Sequence, residues 1–419
     1  MNKPKVIAGI ELGSAKISTV LAQVSTDETE QELTINVIGA ASAESKGIKK
    51  GQIVNIEEAV EATTTSVEAA ERMAGYNLEA AYISLGGAHI HCQNSRGVVA
   101  VSDPNGEITE TDMERVIEAA SAVSTPQSRE VVHVIPREFI VDGEAGVKDP
   151  IGMSGVRLEV ETHIITASNA AMKNLKKAVK EVGIEINGFV FSGLASAEAV
   201  VSPTEKELGC VLVDIGGGTT SIAVFLDGAI AYSSVIPIGA KNVTNDLAIG
   251  LRVSLDSAEK IKAMLSDSKK IKGETDEVDL TDLGLPDIKK ISRKTLVEGI
   301  VRPRLNEIFS MVHLDLEREG LANRVPSGVI VTGGGASTAG CLESAKRVML
   351  LPARIGKPSG LTGLIDEIID PAYATVAGLI IYGAKNPLIE PLTSFAKRVK
   401  LSTKGIFGKF VGMIKDLLP

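Results

Sequence analysis

The sequence has little cysteine and lacks long apolar runs. Its three cysteines, Cys92, Cys210 and Cys341, lie far apart without CxxC spacing, so neither a disulfide framework nor a zinc site is indicated. No run of about 20 apolar residues could span a bilayer, and the apolar run at 5–13 is too short for a signal peptide. We therefore expect a soluble cytoplasmic body in a reducing compartment.

Two common nucleotide motifs are missing, and positive charge is in deficit. Neither GxxxxGK followed by Ser or Thr, nor a strand followed by GxGxxG, occurs, so P-loop and Rossmann sites lose their main support. A net charge of -9 argues against nucleic acid as a partner. The length of 419 residues allows two or three domains with cores of their own.

Three segments combine an apolar run with a glycine turn. CVLVDIGGGTTSIAVF (210–225) places Asp214 before three glycines, IAGIELGSAKI (7–17) places Glu11 before one, and GVIVTGGGAS (328–337) again ends in glycines. The 210–225 segment alone fits two structures equally well: a hairpin that needs the positive φ of glycine, or a cradle whose backbone amides bind phosphate. Because the first two segments lie half a chain apart, we predict two related α/β halves across a cleft.

Two glycine turns that face each other could hold one phosphate chain between them. The carboxylates of Glu11 and Asp214 would repel phosphate, so we expect them to hold Mg²⁺ through water. The phosphate contacts are expected from the Lys16 ammonium and from the backbone of both turns, namely Gly13, Ser14, Ala15, Lys16, Gly216, Gly217, Gly218 and Thr219.

These segments resemble the actin and Hsp70 nucleotide-binding superfamily, and most closely its FtsA family of bacterial cell-division proteins. The matching stretches follow the family's order and cover nearly the whole chain, and GLASAEAVVSPTEKELGCVLVDIGGGTTSIAVF and VIPIGAKNVTNDLAIGLRVSLDSAEKIK are the most specific. The resemblance implies an actin-like fold, a duplicated ribonuclease H-like α/β architecture with two lobes and four subdomains. The expected division is 1–85 with 167–200 (subdomain 1A), 86–166 (inserted subdomain 1C), 201–238 with 306–383 (2A), 239–305 (2B), a linker at 384–403, and 404–419.

The resemblance also implies ATP with Mg²⁺ as the ligands. Glu259 and Lys262 fall where the superfamily contacts ribose and adenine, whereas without the family they would be taken for a solvated helical pair. Glu198 is the one acid in FSGLASAEA and a weak candidate for positioning an attacking water, with helix capping or surface placement as its alternative roles. We therefore expect weak ATPase activity at most. The adenosine and α-phosphate are expected beside Gly333, Gly334, Gly335 and Ala336.

The C-terminal segment sorts into two faces on a helical wheel. Such a helix lies in a membrane interface or docks on protein, and the wheel alone does not separate these roles. The preceding linker and the nearby Lys397, Arg398 and Lys400 favour an anionic lipid surface. The apolar arc holds Ile406, Phe407, Phe410, Val411, Met413, Ile414, Leu417 and Leu418, and the charged flank includes Lys404, Lys409 and Lys415.

The resemblance implies a cell-division protein that polymerises and tethers the tubulin-like protein FtsZ to the inner membrane at the division site. It would sit peripherally on the cytoplasmic face, contact FtsZ through 239–305, and meet later division proteins. Two alternatives stay open: a pilus-assembly adaptor related to the FtsA family, which generally lacks such a tail, and an ATPase or kinase of the same superfamily.

Overall fold

Strands dominate the start of each half of the chain. The computed structural model describes residues 5–26, 33–123, 125–266, 277–279, 290–364, 366 and 368–386. The strands are β1 (Lys5–Leu12), β2 (Lys16–Thr26), β3 (Leu33–Glu44), β4 (Ile48–Lys49), β5 (Gln52–Ile53), β6 (Ala80–Leu85), β7 (His91–Ala100), β8 (Arg129–Val141), β9 (Glu144–Val147), β10 (Arg157–Ser168), β11 (Glu185–Phe191), β12 (Cys210–Ile215), β13 (Thr220–Leu226), β14 (Ala229–Ile236), β15 (Glu277–Asp279), β16 (Lys290–Ser292), β17 (Val329–Thr332), β18 (Ala353–Ile355) and β19 (Thr362–Gly363).

Helices follow the strands in each half. They are α1 (Ile56–Ala74), α2 (Glu110–Ser121), α3 (Asn169–Glu181), α4 (Ser192–Val200), α5 (Pro203–Leu208), α6 (Ala240–Leu251), α7 (Leu255–Ser266), α8 (Arg293–Leu296), α9 (Arg302–Arg318), α10 (Cys341–Met349) and α11 (Ala374–Lys385). A π-helical turn at Val297–Val301 joins α8 to α9, and 3₁₀ turns occupy Gly334–Ser337 and Pro371–Tyr373.

The five strands of the second main sheet have the same order as five strands of the first, read in the reverse direction, and β19 adds a sixth strand to the first. The first runs β11-β6-β1-β2-β3-β19 and the second β14-β13-β12-β17-β18. In each, three consecutive strands pair antiparallel, and the first of them pairs parallel with a later strand, β1 with β6 and β12 with β17. The predicted α/β duplication is therefore confirmed by topology.

Two helices cross between the halves. A Cβ on Gly378 of α11 would overlap the carbonyl of Ala195 in α4, so only glycine permits this approach. Because α4 and α11 are almost wholly buried, their small residues let both sheets pack against them in one core. The second half has a further core on the other side of its sheet, since Val211, Val213 and Ile215 alternate with the residues that face α4.

The segment predicted as an insertion contains the expected strands around one helix. Its sheet runs β7-β10-β8-β9 and packs on α2, whose N-terminus carries a capping box between Thr109 and Asp112. The buried His163 of β10 donates from Nδ1 to the Asn94 Oδ1 of β7 at 2.7 Å, and its Nε2 lies 2.9 Å from the Ser233 hydroxyl of β14. The insert is thus hydrogen-bonded to the edge of the second sheet.

One sequence-based expectation differs from the structure, and another concerns residues outside the described part of the chain. The polar, charge-rich composition of 266–284 is typical of a surface loop, but Glu277–Asp279 within it pairs with Lys290–Ser292 as a short antiparallel ladder. The predicted amphipathic helix at 404–418 and most of the linker lie outside the described residues. Within the described part of the chain, no helix combines the length and apolarity that crossing a membrane requires.

Candidate functional site

The first turn joins β1 to β2 and lies under the small hairpin of β4 and β5. The Ser14 hydroxyl accepts a hydrogen bond from the Gly51 amide at 3.0 Å. Gly13 is tightly enclosed, because a Cβ there would lie 2.6 Å from the Lys16 carbonyl oxygen. The hydroxyl of Ser14 is therefore engaged by the protein, and its backbone amide is the group left to bind a ligand.

The second turn, between β12 and β13, touches the first. Its Gly216 amide donates to the Thr219 carbonyl at 2.9 Å, which closes the turn. None of its three glycines has a φ in the left-handed region, so the interpretation from positive φ is wrong. Close approach is the reason for glycine instead: a Cβ on Gly217 would lie 2.7 Å from the Cβ of Ala15.

Backbone amides on both turns remain available. Within the described residues, the amides of Ser14, Ala15, Gly217 and Gly218 donate to no other residue. The carbonyls of Gly216 and Gly217 accept from the first amides of α6 at 2.8 and 2.9 Å. Since the N–H of a trans peptide points opposite to its C=O, the amides of Gly217 and Gly218 point away from α6. These donors are what an anion-binding turn provides.

Two carboxylates end the strands that lead into these turns. Asp214 is buried, and its Oδ2 accepts from the hydroxyls of Ser196 at 2.5 Å and Thr375 at 3.1 Å. Burial raises the pKa of Asp214 in spite of these hydrogen bonds. Burial also raises the pKa of Glu11 to about 7; the Lys16 ammonium opposes this rise, and the charge of Asp214 adds to it.

The carboxylate pair fits a hard divalent cation. Glu11 Oε2 is buried and has no hydrogen-bond partner among the described side chains. A cation beside it would offset the repulsion between the two acids and lower the pKa of both. Elsewhere in the described residues, no group of three or more His, Cys, Asp or Glu side chains is placed to hold a metal. Two acids alone suit Mg²⁺, which keeps several waters.

The third glycine segment lies beside the second turn. β17 runs parallel to β12 with Thr332 opposite Asp214, so the following glycines begin next to that carboxylate. Gly333 has a φ of 80°, and a Cβ there would overlap Asp214 Oδ1. Gly334, Gly335 and Ala336 form the 3₁₀ turn that follows. The predicted adenosine-side residues therefore begin beside Asp214 and Ile215, which lead into the second phosphate turn.

Glu259 and Lys262 of α7 form an ion pair at 2.8 Å that is tied to α6. The Thr244 hydroxyl donates to Glu259 at 2.5 Å and accepts from Lys262 at 2.9 Å. Burial alone would raise the pKa of Glu259, but the bonds from Lys262 and Thr244 and the charge of Lys241 outweigh it and lower the pKa. The Glu259 side chain is 55% exposed and that of Lys262 only 13%, so one partner faces solvent while the other is held against α6.

Known sequences match almost the whole chain. Cell division protein FtsA of Pseudomonas aeruginosa is 38% identical over 380 residues, 90% of this chain and 89% of that protein. FtsA of Borreliella burgdorferi is 38% identical over 401 residues, 95% and 96% of the two chains, and FtsA of Escherichia coli K12 is 35% identical over 392, 92% and 91%. The chain belongs to the FtsA family of cell-division proteins.

Family models agree with membership of the FtsA family, and solved structures show the fold. The model described as cell division protein FtsA matches residues 211–378, and that of the SHS2 domain inserted in FtsA matches 87–166. The PilM–PilN type IV pilus biogenesis complex has a TM-score of 0.62 at 15% identity, covering 90% of this chain and 98% of that chain. MreB5 of Spiroplasma citri bound to ADP has a TM-score of 0.51 at 15% identity, covering 91% of this chain and 97% of that chain. These neighbours show the actin-like fold.

In this member of the FtsA family, Glu198 does not face Asp214. It pairs with Lys206 at 2.6 Å, and only 14% of its side chain is exposed. Ser196, two residues earlier on α4, carries the bond to Asp214. Because two residues on a helix are about 200° apart, Glu198 points away from that carboxylate. The structure gives Glu198 an ion pair with Lys206, and a catalytic role for it has no geometric support.

Four residues at the site were not predicted from the sequence. Lys16 Nζ lies 3.0 Å from the centroid of the Tyr373 ring, a cation–π contact. The other three are Ser196, Lys241 and Thr375, which contact Asp214 or the first turn. Ser196 and Thr375 are hydroxyls on mostly apolar, buried helices, and such hydroxyls are the signal that could have found them.

Proposed function

We propose that this chain is an ATP-binding, actin-like cell-division protein that tethers FtsZ to the cytoplasmic face of the inner membrane. Membership of the FtsA family supports the division role. The observation that carries nucleotide binding is the contact between two turns from the two halves of the chain, whose free amides lie next to a pair of buried carboxylates.

The site residues have separate roles in this proposal. The turn residues 13–16 and 216–219 hold the phosphates, Glu11 and Asp214 hold the waters of Mg²⁺, and residues 333–336 line the adenosine side. Glu259 and Lys262 hold the ribose and adenine. When bound, Mg²⁺ supplies positive charge that offsets the phosphates. MreB5 of Spiroplasma citri was solved with ADP and with AMPPNP, which supports nucleotide binding in this fold.

Weak hydrolysis is part of the same proposal. Phosphoryl transfer to water needs a residue that orients the attacking water. Glu198, the acid considered for this task, is engaged by Lys206 instead. We therefore propose that nucleotide sets conformation or assembly, with ATPase activity far below that of a metabolic kinase.

Nucleotide binding is tested by calorimetry with MgATP and Asp214→Asn. The substitution removes the charge at the metal position, so affinity for MgATP should fall at least ten-fold and its dependence on Mg²⁺ should weaken. Asp256→Asn, at an exposed acid on α7, is the matched control and should bind as the wild type does. Equal affinities for the wild type and Asp214→Asn would contradict the assigned role.

Membrane tethering is proposed from the sequence of residues 404–418, with its apolar arc and flanking lysines. Deletion of 404–419 should abolish co-sedimentation with vesicles rich in anionic phosphatidylglycerol while MgATP binding is retained. Ile414→Asp on the apolar arc should have the same effect, whereas Gly412→Asp on the opposite face should leave binding largely intact. Unchanged sedimentation of the deletion would assign the tail to a contact with protein.

Assembly and the FtsZ contact are tested on lipid monolayers by electron microscopy. We propose that the protein forms filaments there, that residues 239–305 bind FtsZ, and that later division proteins join. Filaments with and without ATP should differ in amount or length if nucleotide controls assembly. Monomers under all conditions would contradict polymerisation and leave nucleotide and membrane binding as separate properties.

A further inference from the structure

Lys241 contacts both glycine turns at once. It is the second residue of α6, and its Nζ donates to the Ser14 carbonyl at 2.8 Å. Its backbone amide donates to the Gly217 carbonyl at 2.9 Å. One residue therefore connects the first turn to the second, although Ser14 lies 227 positions earlier in the chain.

The start of α6 follows the second turn closely. A Cβ on Gly239 would lie 2.5 Å from the Gly216 carbonyl oxygen, and the Ala240 amide donates to that same oxygen at 2.8 Å. Such tight backbone contact leaves no room for α6 to slide over the turn. A shift of Gly216 and Gly217 is consequently passed to the Lys241 backbone.

The ammonium of Lys241 has a neutral partner. No ion pair of Lys241 occurs among the described residues, and its charge acts on Glu259 without a direct contact. The Ser14 carbonyl that it binds belongs to the same turn whose amides are free. A phosphate oxygen is a stronger acceptor for an ammonium than a carbonyl, because the bond then joins two charges.

We propose that Lys241 distinguishes a nucleoside triphosphate from a diphosphate by exchanging the Ser14 carbonyl for an oxygen of the terminal phosphate. The exchange releases the bond between the two halves only when the triphosphate is bound, and α6 passes the difference on to the rest of the second half. This inference rests on the proposed binding of ATP and adds the residue that reads its terminal phosphate.

The test compares AMPPNP and ADP, each with Mg²⁺, on three variants by calorimetry. Lys241→Met should weaken AMPPNP binding about ten-fold or more and ADP binding much less, because a charge-assisted bond is lost in one complex only. Lys241→Gln can still donate to the Ser14 carbonyl but carries no charge, and it should resemble Lys241→Met. Lys260→Met, at an exposed lysine of α7, should keep the wild-type ratio.

A second measurement distinguishes recognition of the terminal phosphate by Lys241 from a purely structural link between the two turns. In the wild type, hydrogen exchange in the segment 239–244 should differ between AMPPNP and ADP, and Lys241→Met should remove the difference. Equal losses for both nucleotides, or a wild-type ratio in Lys241→Gln, would show that Lys241 only braces the two turns. A wild type that binds neither nucleotide would overturn the proposed function itself, whereas intact binding with an unchanged ratio in Lys241→Met overturns this inference alone.

Discussion

Gly217→Ala tests the contact between the two turns directly. The new Cβ would lie 2.7 Å from the Cβ of Ala15 and 3.2 Å from the Ala15 amide nitrogen. Carbon atoms in ordinary contact lie about 3.5–4.0 Å apart, so the turns must separate by about 1 Å. The φ of Gly217 is not positive, and the whole effect is therefore steric. Overpacking of this size costs about 1–3 kcal/mol of the free energy of unfolding.

Chemical denaturation and MgATP calorimetry on the same samples measure both consequences. Gly217→Ala should unfold at lower denaturant concentration and bind MgATP more weakly, since the amides on the two turns move apart. Adding Ala15→Gly removes the opposing Cβ, so the double variant should recover part of both losses. The reasoning is refuted if Ala15→Gly gives no recovery, or if Gly217→Ala leaves stability and affinity unchanged.

Three further outcomes follow from buried polar groups. Burial holds the pKa of His163 near 3, below its ordinary value, so the stability that the neutral imidazole contributes is full above pH 6.5 and falls as the pH is lowered. Between pH 7 and 5 the free energy of unfolding should therefore decrease, and His163→Gln should remove up to about 2 kcal/mol of that decrease, as denaturation curves at the two pH values would show. Thr375→Val removes a donor from Asp214 and should lower the free energy of unfolding by about 1–3 kcal/mol; an unchanged value would mean that the Ser196 hydroxyl suffices. Glu205 has its pKa held at about 2, chiefly by hydrogen bonds from Arg354, so Glu205→Gln should cost about 1 kcal/mol at pH 7 and less near pH 2, as thermal melts at both pH values would show.

The duplicated fold was predictable because the same sequence pattern occurs in each half of the chain. An apolar strand, an acid, a glycine turn and a second strand occur at 7–17 and again at 210–225, and the structure gives both the same strand order. Such local periodicity is strong for buried strands. The π-helical turn Val297–Val301, which separates α8 from α9, has no comparable pattern in the sequence that would predict it.

The site was predictable in part for a physical reason. Glycines and acids at strand ends are unusual residues in fixed places, and they direct attention to Asp214 and its turn. Hydroxyls such as Thr375 and ammonium groups such as Lys241 become informative only when distant segments meet, since the sequence does not give their neighbours. Glu198 shows the converse, because an acid near the right motif points elsewhere once the helix is formed.

The hydrogen bond between His163 and Ser233 couples the inserted sheet to the second half of the chain. The chain enters and leaves the insert from the first half, yet the insert is bonded to Ser233 on the edge strand of the second. That strand pairs with β13, which begins directly after the glycine turn. If the angle between the halves changes, either this bond breaks or the insert rotates together with the second half. The end of the insert farthest from the turns would then be displaced more than the turns themselves. A partner bound at that end would therefore meet a larger displacement than the one in the cleft.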